Sequence, residues 1–181
     1  MPDEIIVKQC SPTLAGIKTG NLFPADFNNR ESMINDMRSL NNRLSNKGVR
    51  VLPMRFDGNK ALIYLYRPQK LSDDMKNPEA LELLNKMGYG GKTPEKCLSV
   101  LMEKLKLNRD FPHEIGLFLG YPPEDVKGFI ENKASDCKCV GTWKVYGDEE
   151  KAKKTFLQFK KCSYLYYQQW QKGKSIESLA V

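Results

Sequence analysis

The sequence predicts an α+β protein: a small, mostly antiparallel sheet of about four strands, with helices on one face and a helical insertion. Three observations carry this. Residues 49–56 and 61–66 are β-branched and aromatic runs separated by Asp57-Gly58-Asn59-Lys60, which reads as a hairpin. Several other segments place apolar residues at helical spacing between Gly and Pro punctuation. The order β-α-β-β-(α)n-β-α lacks strict βαβ alternation, which is the α+β class, and fits a ferredoxin-like arrangement with an insertion.

Taken in order, residues 5–8 form a short apolar start with the composition of a strand. Ser11 suits an N-cap, Pro12 the first helical position and Gly20 the stop, predicting a short helix over about 12–18. Met33, Met37, Leu40 and Leu44 recur at 4-3-4 spacing, predicting an amphipathic helix over 28–46 that ends at Lys47-Gly48. In the second hairpin strand both faces are apolar (Leu62, Tyr64 and Tyr66 against Ala61, Ile63 and Leu65), as in an interior strand. Helices are predicted over about 78–87, from Thr93-Pro94 with the stripe Cys97, Leu98, Leu101 and Leu105, from Pro112 to Gly120, and from Pro123 to about Asn132. Residues 137–141 read as a loop and 142–146 as a strand. Asp148 caps a long helix to about Lys172, with the stripe Ala152, Phe156, Phe159, Ser163, Tyr166 and Trp170. The expected organisation is one domain over 1–172 and a loose tail over 173–181.

At 181 residues the chain is long enough to build a core without disulfides or metal. Its net charge of +7 favours anionic ligands or acidic partners, and seven lysines against one glutamate concentrate it in 150–174. The five cysteines (Cys10, Cys97, Cys137, Cys139 and Cys162) are odd in number, and the acidic Met1-Pro2-Asp3-Glu4 does not resemble a secretion signal. Reduced thiols in the cytoplasm are expected. No apolar run reaches the ~20 residues of a membrane-spanning helix.

Residues 111–132, Phe-Pro-His-Glu-Ile-Gly-Leu-Phe-Leu-Gly-Tyr-Pro-Pro-Glu-Asp-Val-Lys-Gly-Phe-Ile-Glu-Asn, resemble the signature of an uncharacterised bacterial family, a domain of unknown function found mainly in anaerobic Gram-positive bacteria. Residues 10–23, 62–68 and 139–146 are similar to it too, so the resemblance spans nearly the whole chain. It implies a cytosolic protein of an anaerobe and carries no catalytic residue over.

The residues themselves offer several candidates. Cys10 beside a predicted helix N-terminus, with Thr13 and Lys18 in the same loop, could be a nucleophile, a redox thiol or part of an anion site; a small buried hydrophobe is the plainer role. His113 with Glu114 at a helix start could act as general acid or base, or be a capping residue. Arg55, Arg67 and Lys144 on or after strands, with Tyr64, Tyr121 and Tyr146, could line an anion pocket. Cys137-Lys138-Cys139 lacks the spacer of a zinc knuckle, and a single histidine excludes a His-rich centre, so no metal site is assigned. There is no Gly-rich phosphate loop, serine nucleophile elbow or H-E-x-x-H.

Three functions stand as expectations. The first is a small-molecule pocket for an anionic ligand, or a thiol-dependent site, between residues 10–18 and 113–122. The second is an adaptor whose basic final helix docks an acidic redox partner, such as a flavodoxin-like carrier. The third, less expected, is nucleic-acid binding. Residues 119–130 have helix-turn-helix spacing, but Glu124, Asp125 and Glu131 outnumber Lys127 on the helix that would face phosphate. Whether the chain is an enzyme, and with what cofactor, the residues leave open.

Overall fold

A computed structural model describes residues 1–108 and 110–181. In chain order the elements are α1 (Asp3–Leu14), β1 (Gly20–Asp26), α2 (Arg30–Leu44), a 3-10 turn (Ser45–Lys47), β2 (Arg50–Asp57), β3 (Lys60–Tyr66), α3 (Pro68–Asp74), α4 (Pro78–Lys86), α5 (Pro94–Leu107), α6 (Ile115–Phe118), α7 (Pro123–Glu131), β4 (Cys139–Val140), β5 (Lys144–Val145), α8 (Glu149–Gln171) and α9 (Ile176–Leu179). The class is α+β. Where the sequence suggests one domain, contacts group the chain into two compact units, 1–69 with 159–181 and 70–158.

In unit 1 the sheet runs β1-β3-β2, with both pairings antiparallel. β1 and β2 therefore run parallel with β3 between them, the split β-α-β of a ferredoxin-like half, here three strands wide. β3 is the interior strand that its two apolar faces predict. Ala61, Ile63 and Leu65 meet Phe23 and Ala25 of β1 and Val51 of β2 on one face, and Met33, Met37, Leu40 and Leu44 of α2 close over them. Asn41 of α2 pairs its side-chain amide with both the N–H and C=O of Val51, each at 2.8 Å, and so covers part of the outer edge of β2.

Three sequence expectations are corrected in this unit. Residues 5–8 are not a strand, and Pro12 does not start a helix. Asp3 and Glu4 instead occupy the first turn of α1, where the helix dipole favours carboxylates. Ile6, Val7, Cys10 and Leu14 then lie fully buried at helical spacing. Pro12 sits inside the last turn, and Ser11 donates back to the Val7 carbonyl instead of capping. Residues 20–26 are a strand that Gly20 and Pro24 concealed. β1 lies at the edge of the sheet, the one position where a missing N–H breaks no ladder bond. Finally, 173–181 is not loose. Ser175 caps α9, and Ile176 and Ala180 join the core. Arg43 of α2 ties α9 and α1 together through ion pairs to Glu177 and Asp3, the latter at 2.5 Å.

Unit 2 is helical apart from a two-stranded ribbon. Thr93 caps α5 as expected, and Asn77 caps α4, each with proline in the first turn. The predicted strand over 142–146 shrinks to Lys144–Val145 of β5, paired antiparallel with β4 inside the expected loop. Asp148 accepts from the Lys151 N–H at 2.9 Å and caps α8 as predicted.

Candidate functional site

The family-like segment 111–132 lines an apolar, largely aromatic cavity of unit 2. At the start of the segment the buried carboxylate of Glu114 accepts from Tyr89 Oη at 3.0 Å and Lys104 Nζ at 2.5 Å. Lys104 also donates to the Met87 carbonyl at 2.7 Å. Glu114 is thus committed to holding α5 against this segment, while its neighbour His113 is exposed. After α6 the chain reverses at Gly120, whose φ of +75° is a left-handed conformation suited to glycine. Pro122 and Pro123 then start α7.

Asp125, in the first turn of α7, organises the segment from Trp143 to Gly147. Its carboxylate, 2% exposed, accepts from Trp143 Nε1 at 2.6 Å and from the N–H groups of Tyr146 and Gly147 at 2.8 and 2.7 Å. Three donors and the α7 dipole stabilise its charge, and together they bind the β5 segment to α7. Close approach is possible because residue 128 is glycine: a Cβ there would lie 2.4 Å from the Tyr146 ring. Trp143 packs between Tyr121 (ring centres 5.0 Å apart) and Phe156 (4.6 Å, edge-on).

The result is a cavity of about 340 Å³ walled by Ile115, Tyr121, Val126, Phe129 and Trp143, with Phe111 and Val140 beside it 46% and 69% exposed. Two polar side chains in its lining are under-used. His113 stacks edge-on to Phe129 at 5.3 Å, and its ring nitrogens have no hydrogen bond among the described residues. Lys144 Nζ lies 6.0 Å from the Phe129 ring centre and donates to the Ala134 carbonyl at 2.7 Å, leaving two of its three N–H donors. Ala134 belongs to a strained loop. Lys133, Ala134 and Asp136 all have left-handed φ (50°, 64° and 58°), a conformation costing roughly 1–2 kcal/mol per non-glycine residue.

Of the sequence candidates, the structure therefore brings His113, Tyr121 and Lys144 into one pocket. Glu114 is turned to Tyr89 and Lys104. Tyr146 lies over Gly128 with its hydroxyl buried and without a hydrogen-bond partner among the described residues. Asp125 is a correction: the sequence places it among carboxylates facing outward, yet it is the buried anchor of the site. Trp143 and Phe129 are wall residues that the sequence does not single out. The visible signal is a tryptophan in a short predicted strand and an acid just after Pro-Pro.

The remaining candidates, Cys10, Thr13, Lys18, Arg55, Tyr64 and Arg67, belong to unit 1. The Cys10 thiol is fully buried within α1 instead of beside a helix N-terminus, and burial pushes its pKa far up. Burial pushes Lys18, its charged neighbour, down to about 8. Thr13 Oγ1 donates to Asn21 at 2.7 Å, and Tyr64 stacks on Tyr66 at 4.7 Å. Arg55 is half-buried on β2. Arg67 donates to main-chain carbonyls. Mild alkylation of the native protein should therefore modify Cys137 and Cys139 and leave Cys10 intact, as peptide mass mapping reads. Early loss of the Cys10 peptide would contradict this burial. Among the described residues no group of three His, Cys, Asp or Glu is placed to hold a metal ion. Nor is any helix among them long and apolar enough to cross a membrane.

An α+β protein with an aromatic pocket set in residues 111–144 is thus the class defined. The family model described as protein of unknown function (DUF3793) matches residues 6–180, and the chain belongs to that family. No curated protein and no solved structure matches it.

Proposed function

We propose that the protein binds a small, largely apolar molecule in the unit 2 pocket, with His113 and Lys144 making its polar contacts. The observation that carries this is a pre-formed aromatic cavity, held open by the Asp125 network, with two polar side chains whose hydrogen-bonding capacity is unspent. A mostly apolar cavity with a few convergent polar groups is the usual form of a ligand site. The thiol-dependent alternative draws no support from the burial of Cys10, so binding is the preferred reading. Five free cysteines suit a cytoplasmic setting.

The test is fluorescence titration with N-phenyl-1-naphthylamine, a neutral probe of apolar pockets. One-to-one enhancement is expected in the wild type. Thr142→Trp, an exposed substitution in the pocket lining, should reduce it at least roughly ten-fold without lowering the melting midpoint. Enhancement that is absent, or unaffected by Thr142→Trp, sinks the reading.

A second reading rests on the unit 1 part of α8, where Tyr164 and Leu165 are exposed beside exposed Lys160 and Lys161. An apolar centre among lysines suits an acidic protein such as a redox carrier. Changing Lys160 and Lys161 to Glu should abolish salt-sensitive capture by an acidic carrier protein; unchanged capture would dispose of this reading.

A further inference from the structure

We propose that the ligand of this pocket is a planar aromatic acid, its rings lying among Tyr121, Phe129 and Trp143 and its carboxylate at Lys144. The proposal rests on the small-molecule reading above and names the chemical class.

Size comes first. A cavity of about 150 Å³ accommodates a benzene ring, and the pocket has about 340 Å³. It therefore suits a two-ring system or one ring with a sizeable substituent. The walls come second. Tyr121 and Trp143 lie 31° apart in ring plane, and Phe129 meets His113 edge-on at 82°. Flat faces and ring edges in one lining favour a flat, polarisable body over a branched aliphatic one.

The sign of the charge comes third, and two features compete. Aromatic faces attract cations, so a bare cage would favour an ammonium. Here the cationic place is already taken by Lys144 itself, 6.0 Å from the Phe129 ring centre. Asp125, the one carboxylate among the described residues of the lining, already accepts three N–H donors and has little left for a ligand cation. Lys144 has two unspent donors, and His113 contributes ring nitrogens without a partner among the described residues. The Lys144 ammonium can only donate, and an anion uses that capacity.

The loop held by Lys144 fits the same picture. Left-handed residues at 133, 134 and 136 present the Ala134 carbonyl to Nζ, which fixes the ammonium beside the pocket. Conformations of this kind persist where surrounding contacts hold them, and they cluster at ligand sites.

The experiment is calorimetric titration of three probes on one ring system: 1-naphthoate, neutral 1-naphthamide and cationic 1-naphthylmethylammonium. Naphthoate should bind roughly ten-fold tighter than the amide, and the ammonium weaker than either. Lys144→Gln, which keeps a donor for the Ala134 carbonyl and removes the charge, should erase the advantage of the acid. An unchanged melting midpoint and far-ultraviolet circular dichroism spectrum of that variant show that its fold is intact. Equal affinities, or tightest binding of the ammonium, overturn the aromatic-acid class and leave the pocket standing. If none of the three binds while N-phenyl-1-naphthylamine does, the class fails alone. If that neutral probe fails as well, the pocket reading fails with it.

Discussion

Replacing Asp125 with Ala should destabilise unit 2 by about 3–5 kcal/mol, the combined loss of three hydrogen bonds to one buried carboxylate. The carboxylate accepts three N–H groups, from Trp143 Nε1 and the main chain of Tyr146 and Gly147. Alanine would leave all three without this acceptor, the Trp143 N–H in a buried place and the two main-chain groups in part-buried ones. Asp125→Asn retains an acceptor oxygen but turns an NH2 toward donors, so about half the loss is expected. The readout is urea unfolding followed by Trp143 emission, with the other tryptophan, Trp170, changed to Phe. Emission of native Asp125→Ala should also shift to the red, because Trp143 loses the bond that fixes it in the wall. A variant within about 0.5 kcal/mol of wild type, the range of ordinary surface changes, would mean that Asp125 does not organise the site.

Arg67→Ala is the second large effect, and it falls on unit 1. Its guanidinium donates to the Thr13 and Leu14 carbonyls at the end of α1, both at 2.6 Å. It also reaches the Lys47 carbonyl at 3.1 Å and the main-chain oxygen of Val181 at 2.6 Å. One side chain at the end of β3 thus closes α1, the turn after α2 and the C-terminal segment. The bonds to Lys47 and Val181 are exposed and add little. The two part-buried bonds, charge-assisted and at a helix C-terminus, should together contribute about 3 kcal/mol. For a chain of this size that corresponds to a fall in melting midpoint of roughly 6–12 °C. Arg67→Lys keeps the charge but loses the planar fork, so at least half of the loss should remain. A midpoint unchanged in Arg67→Ala, read by Trp170 emission with Trp143 changed to Phe, would refute this role.

Elements whose signals are local were legible from the sequence. The hairpin announced itself through Asp57-Gly58, and α4, α5, α7 and α8 through caps and prolines a few residues from their apolar stripes. The elements that were not legible depended on distant partners. Pro12 and Pro24 carry strong local meanings that tertiary context overrides. The first is carried within α1 because Ile6, Cys10 and Leu14 bury on the core, and the second is harmless because β1 is an edge. The tail looked loose because Gly173, Lys174 and Ser175 are polar, which hid the buried Ile176 and Ala180.

The same division holds for the site. His113, Tyr121 and Lys144 could be named from residue type and position, since each is an unusual polar or aromatic group in the family-like stretches. Asp125 could not. Beside Glu124 it reads as one more solvated acid, and only the approach of Trp143, eighteen residues on, makes it the anchor. Burial of a charge is a property of a pair, and local composition does not show the second member.

The central claim is that the pocket of residues 111–144 receives a ligand, and Trp143 reports on it directly. The chain has two tryptophans, one in this wall and one, Trp170, in unit 1, so their indole N–H signals form a probe and an internal control. Titrating 1-naphthoate into 15N-labelled protein should move the Trp143 indole signal saturably and leave that of Trp170 in place. A Trp143 signal that stays fixed through the titration, or moves only together with Trp170, would contradict the account.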